Sequence, residues 1–159
     1  MTPNLVQYPQ AHYLAQINVA LMKAPLDDPI MAEFAAALDD VNTVADQSPG
    51  FVWRLKTASG NATDIHAYDN PKMLVNISVW ETVASLRAYV YKSLHGDFFI
   101  RRRQWFEKYQ GEHFAMWWVP SGHWPTVEEG KTKLEHLTLH RDSPDCFTFA
   151  KPYPPPLDL

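Results

Sequence analysis

His12-Tyr13-Leu14-Ala15-Gln16-Ile17-Asn18-Val19-Ala20-Leu21-Met22 is the stretch on which the fold turns. A strand throws successive side chains to opposite faces. Tyr13, Ala15, Ile17, Val19 and Leu21 therefore share one face, and Leu14, Gln16, Asn18, Ala20 and Met22 the other. Two amides on an otherwise apolar face are costly unless they find partners. Gln16 and Asn18 can pair across the sheet, face the interior of a dimer, or meet a ligand.

Downstream, Pro29 to Ala45 reads as a helix. Asp27 or Asp28 caps it, Pro29 suits its first position, and Ile30, Phe34, Leu38 and Val41 give an apolar stripe. Ser48-Pro49-Gly50 stops it. Phe51 to Thr57 and Met73 to Glu81 read as strands around a polar loop with turn signals at Gly60-Asn61 and Asn70-Pro71. A long helix is expected from Thr82 to Tyr109, then a strand from His113 to Val119. A last helix begins near Thr126, where Thr126-Val127-Glu128-Glu129 matches a capping box, and runs to about His140.

Strand, helix, strand, strand, helix, strand is the split βαβ pattern of an α+β ferredoxin-like unit with a four-stranded antiparallel sheet. The expectation is a single domain over residues 1–159, with an N-terminal arm (1–11), an extra C-terminal helix and a proline-rich tail (150–159). Such a tail drapes over a neighbour or stays mobile. Helices cover one face of the sheet. The other calls for a partner, and a second copy, giving a homodimer, is expected.

Composition excludes several classes. With 159 residues and a net charge of -4, the one dense basic run is Arg101-Arg102-Arg103, whose side chains fan out around a helix. No flat phosphate-binding patch results, so no nucleic-acid partner is expected. No apolar run reaches the length of a membrane span and no signal-peptide pattern opens the chain, so no membrane is expected and the cytoplasm is the expected compartment. One cysteine, Cys146, leaves no internal disulfide and no cysteine-only metal site. Six Trp, seven Tyr and eight Phe suit a core or a pocket for planar ligands. There is no phosphate loop, nucleophile elbow or dinucleotide fingerprint.

Candidate site residues gather on the long helix. At about 100° per residue, Val83, Tyr91, Leu94, Phe98, Trp105 and Tyr109 define its apolar stripe, and His95 and Arg102 fall at the stripe's edge. A phenol (Tyr91), an imidazole (His95) and a guanidinium (Arg102) beside Phe98 and Phe99 can serve a buried polar ligand: histidine moves protons and arginine holds an oxyanion. The plain alternative is a boundary histidine and an arginine in an ion pair. Trp117, His123 and Trp124 in Trp117-Trp118-Val119-Pro120-Ser121-Gly122-His123-Trp124 form either a pocket lid or a rigid corner. His136 and His140 share a helical face but lack a third ligand, so no metal is expected.

Val79-Trp80-Glu81, followed by a helix with Tyr91 and His95, resembles the antibiotic-biosynthesis-monooxygenase group of dimeric α/β barrels. More narrowly, His95 to Phe106 and Trp117 to Thr126 resemble a bacterial family within it named only as a domain of unknown function. The resemblance covers about residues 12 to 149 in element order. It implies a site between helix and sheet, and relatives that include cofactor-independent monooxygenases on polycyclic phenols, cyclases, haem-degrading enzymes and plain binding proteins. In the haem-degrading branch the pocket holds a strand Asn, a Trp and a His; Asn18 and His95 match two of these, while the nearest aromatics, Tyr89 and Tyr91, depart in register.

Three readings stay open. The leading one is a cofactor-independent monooxygenase, or a cyclase or isomerase, on an aromatic or polyketide-like substrate, with His95 as general base and Tyr91, Asn18 and Arg102 holding the oxyanion. The others are a haem-binding protein with His95 as axial ligand and a non-catalytic ligand-binding or structural dimer.

Overall fold

The computed structural model describes residues 10–56, 68–94 and 96–157, with the backbone alone at 94, 97 and 98. In chain order it comprises β1 (His12–Met22), a 3-10 turn (Pro29–Met31), α1 (Ala32–Asp46), β2 (Phe51–Arg54), β3 (Met73–Trp80) and α2 (Val83–Leu94). There follow a helical turn (Asp97–Ile100), a 3-10 turn (Arg102–Gln104), β4 (Phe106–Glu107), β5 (Phe114–Pro120) and α3 (Val127–His140). Thr57, the Gly60-Asn61 turn and His95 lie outside the described residues.

β1 is the central strand, and every pairing is antiparallel. β3 runs along one edge, setting Leu14 opposite Trp80, Gln16 opposite Ser78 and Asn18 opposite Asn76. The other edge is shared: β5 pairs with His12 to Asn18, and β4 takes Leu21 and Met22. β2 pairs with β3. With β4 and β5 on one edge, the strands run β2, β3, β1, β5 across the sheet, which is ferredoxin-like. The sheet has five strands rather than the expected four, because the chain touches the end of β1 before it turns into β5.

The larger difference concerns the faces. Tyr13, Ala15, Ile17 and Val19 join Val75, Ile77, Val79, Ala115, Trp117 and Val119 in one core, closed by Leu134 and Leu137 of α3. Each of those four β1 residues is 3% exposed or less. The face expected to need a second copy is thus covered from within the chain, and a homodimer no longer follows from an open sheet. α3 seats closely because Gly130 has no side chain: a Cβ there would come 2.7 Å from Ile17 Cδ1 and 3.2 Å from that of Ile77.

α1 and α2 lie on the opposite face. There Leu14, Trp80, Leu86, Met116 and Phe147 form one apolar cluster, and Met22, Ala24, Met31 and Trp105, with Phe34 packed against them, form another. The expected helix from Thr82 to Tyr109 is broken. Ser93 Oγ bonds back to the Tyr89 carbonyl at 2.9 Å, Gly96 N–H reaches only to the Ser93 carbonyl in a tighter turn, and glycine disfavours helix by about 1 kcal/mol. The break lets Trp105 turn into the second cluster, where its carbonyl accepts from Lys23 N–H at 2.8 Å. Near α1, the 3-10 turn shifts the expected stripe: Met31 is buried, whereas Ile30 is 54% exposed.

The segment leading into the proline-rich tail, and the tail at Tyr153, pack on the chain's own sheet. Phe147 bridges to Met116 on the outer edge of β5, Phe149 stacks on Phe114, and Trp118 Nε1 donates to the Tyr153 carbonyl at 2.9 Å. None of the described helices is long and apolar enough to cross a membrane.

Two outcomes follow from this packing. Gly130→Leu should lower stability by about 2 kcal/mol in denaturant unfolding, the range for overpacking a filled core; an unchanged midpoint would show that α3 is not seated on Ile17. Burial pushes the Cys146 thiol from about 9 up to about 11. Below pH 9 the thiol is protonated in both states. Between the two values only the unfolded chain releases the proton, so stability should fall across that window. Urea midpoints from pH 8 to 11 should drop less for Cys146→Ala than for the parent; parallel curves would contradict the assignment.

Candidate functional site

On the helix side of the sheet, β1 and β3 each present two polar side chains in the same rows. Gln16 Nε2 donates to Ser78 Oγ at 2.7 Å and to Asn76 Oδ1 at 2.9 Å. Asn18 Nδ2 donates to Gln16 Oε1 at 3.0 Å and, at 3.3 Å, to Asn76 Oδ1. Trp80 Nε1, which can only donate, closes the chain on Ser78 Oγ at 2.8 Å. Gln16 is 2% exposed and Ser78 6%, while Asn18 and Asn76 are half-buried.

The three amides turn only as a set. Turning Asn76 alone would set three donors against one another, whereas turning all three together keeps every contact and lets the Ser78 hydroxyl donate to Gln16 Oε1. In either arrangement the Asn18–Asn76 pair keeps one acceptor and one donor without a hydrogen bond among the described residues, Asn18 Oδ1 and Asn76 Nδ2 in one, Asn76 Oδ1 and Asn18 Nδ2 in the other. They belong to directly opposed residues, on a band with one apolar cluster to either side. Such a pair can hold a ligand oxygen through the donor and a ligand hydroxyl through the acceptor. No ladder group can take up a proton near neutral pH, so a base has to come from elsewhere.

The other candidate residues divide. His95 lies outside the described residues, and so does the Phe98 side chain. Tyr91 is 65% exposed. Arg102 is exposed too, its guanidinium 4.1 Å from the Phe99 ring centre and bonded to the Phe99 carbonyl at 2.9 Å. The constant helical phase that aligned Tyr91, His95 and Arg102 does not survive the break after Leu94. Tyr91 and Arg102 do not join Asn18 at the sheet.

Trp117, His123 and Trp124 form a separate constellation on the α3 side. Trp117 Nε1 donates to Glu129 Oε2 at 2.8 Å, and His123 Nε2 lies 2.7 Å from Glu129 Oε1. Trp124 stacks on Trp53, with ring centres 5.5 Å apart. Thr126 Oγ1 accepts from Glu129 N–H, so the cap forms, while the Glu129 side chain anchors the corner instead of returning to the cap. The rigid-corner alternative accounts for these contacts.

His95, the axial ligand of the haem reading, lies outside the described residues, and its other residues are otherwise engaged: Asn18 bonds to Gln16 and Asn76, Tyr89 packs on Trp80, and Tyr91 is exposed. His136 and His140 have ring centres 4.5 Å apart, and His136 Nδ1 is buried without a hydrogen-bond partner. No group of three or more metal-ligating side chains occurs among the described residues.

The sequence reading found Gln16 and Asn18 but missed Asn76, Ser78 and the role of Trp80. The signal was available: Leu74, Asn76, Ser78 and Trp80 alternate with Val75, Ile77 and Val79, so β3 repeats the mixed face of β1.

Among solved structures, the chain is similar to the crystal structure of SnoaB, a cofactor-independent oxygenase from Streptomyces nogalater. The identity is 17% over 72% of this chain and 97% of that one, with a TM-score of 0.39. No curated protein matches the sequence significantly. A family model does match, over residues 13–158. The match takes in all three helices and all but the ends of the sheet and tail, and the chain therefore belongs to the family described as Domain of unknown function (DUF3291).

Proposed function

We propose that this protein is a cofactor-independent enzyme on a planar phenolic or polyketide-like substrate, with the Asn18–Asn76 pair as its oxygen-holding floor. The observation that carries this reading is the ladder. Five polar groups fix one another so that one donor and one acceptor remain for a ligand. Both remaining groups are open to solvent, since the only buried side-chain nitrogen or oxygen without a partner among the described residues is His136 Nδ1, and a ligand can therefore reach them.

His95 enters as proton acceptor from its place in the sequence, just after α2. Deprotonating a phenol or an activated methylene spreads negative charge over the ring system, and the free amide donor of the Asn18–Asn76 pair stabilises the oxygen on which it collects. The resulting carbanion is electron-rich enough to react with dioxygen directly. For a methylene the balance is CH2 plus O2 giving C=O plus water, with all electrons supplied by the substrate. Without oxygen the same deprotonation leads to isomerisation or cyclisation. A non-catalytic binding role is the second reading, favoured by the outward turn of Tyr91 and Arg102, which removes two of the expected catalytic partners.

Oxygen uptake with a hydroxyanthrone, measured above the spontaneous rate, tests the proposal. His95→Ala should lower kcat about 100-fold, the lower range for a general base, with an unchanged melting temperature. Asn76→Ala should cost about tenfold in kcat/KM, equivalent to one ligand hydrogen bond. Saturable binding with no uptake and no rearranged product would favour the binding reading. No binding at all would overturn both.

A further inference from the structure

A second candidate site lies on the other side of Trp80. α2 and the end of α1 line an open cleft of about 470 Å³, within the range of small-molecule sites. The turn after α1 closes it at one end, because Gly50 sits so near α2 that a Cβ would meet Ser85 Cβ at 2.4 Å. The plate at its middle is Tyr89, whose ring rests on Trp80 with centres 5.0 Å apart. Val44, Pro49 and Ala88 complete an apolar midsection. Glu81 and Lys92 stand at the two ends of the α2 wall, on the order of 15 Å apart by helix rise. Neither has an ion-pair partner among the described residues. Gln47 adds an amide to the lining.

The charges are therefore arranged along the cleft as cation, flat apolar surface, anion. We infer that this cleft binds an elongated aromatic acid, with its carboxylate at Lys92, its ring over Tyr89 and Pro49, and a hydroxyl donating to Glu81. The inference is independent of the ladder reading, since Trp80 separates the two: one side of it meets Tyr89, and its Nε1 meets Ser78. Burial also holds the Tyr89 phenol above its usual range, with Asp46 acting in the same direction, so it stays a neutral donor at physiological pH.

Calorimetric titration with 6-hydroxy-2-naphthoate is the test. The parent protein should show saturable binding, weakened about tenfold by Lys92→Glu and abolished by Ala88→Trp, which fills the cleft. Asn18→Ala, on the ladder, should leave the affinity unchanged. Lys92 is solvent-exposed, so its variant folds and keeps the test decisive should Ala88→Trp disturb α2. Absence of saturable binding, indifference to Lys92→Glu, or loss of binding in Asn18→Ala would each overturn the inference.

Discussion

β1 is hemmed in on four sides, and the rest of the molecule answers to that constraint. Its two edges are taken by β3 and by β5 and β4 in succession, and both faces are buried. Because side chains alternate with period two, a slip of one residue against β3 would exchange the two faces. Gln16 and Asn18 would then be pressed against Leu134 and Leu137 of α3, where no polar partner waits. The register that places Asn18 opposite Asn76 is the one that pairs the amides, and the two requirements reinforce each other.

From this strand the two faces acquire different characters. The α3 side is a continuous apolar core, tight enough that Gly130 must be glycine. The α2 side has apolar clusters at both ends and a polar band between them. The helical chain there cannot run on unbroken, because Trp105 has to reach Met22 and Met31 at the far end.

Much of this was legible in residues 12 to 22. Their alternation gave the central strand, and the amides at Gln16 and Asn18 marked the face with the candidate site. The Thr126 cap and the start of α3 were legible because capping is local. What was not legible depended on distant contacts. Nothing near Thr126 reveals that the last helix returns to cover Ile17, which is why a second copy seemed required. The helix break after Leu94 is set by a local glycine and by the pull of Trp105 toward a remote cluster, and it dissolved the alignment of Tyr91 with Arg102. The ladder itself needed the β1–β3 register, since Asn76 and Ser78 gain meaning only when opposed to Asn18 and Gln16.

One amide donor and one amide acceptor of the Asn18–Asn76 pair stand free to receive a ligand while Gln16 holds the pair in place. Side-chain amide NMR reads this directly, because each carboxamide nitrogen gives its own pair of proton signals. On titration with a hydroxyanthrone, the amide protons of Asn18 and Asn76 should shift, and those of the buried Gln16 should shift least. A ligand that binds while all three amides stay unmoved would contradict the ladder as the site.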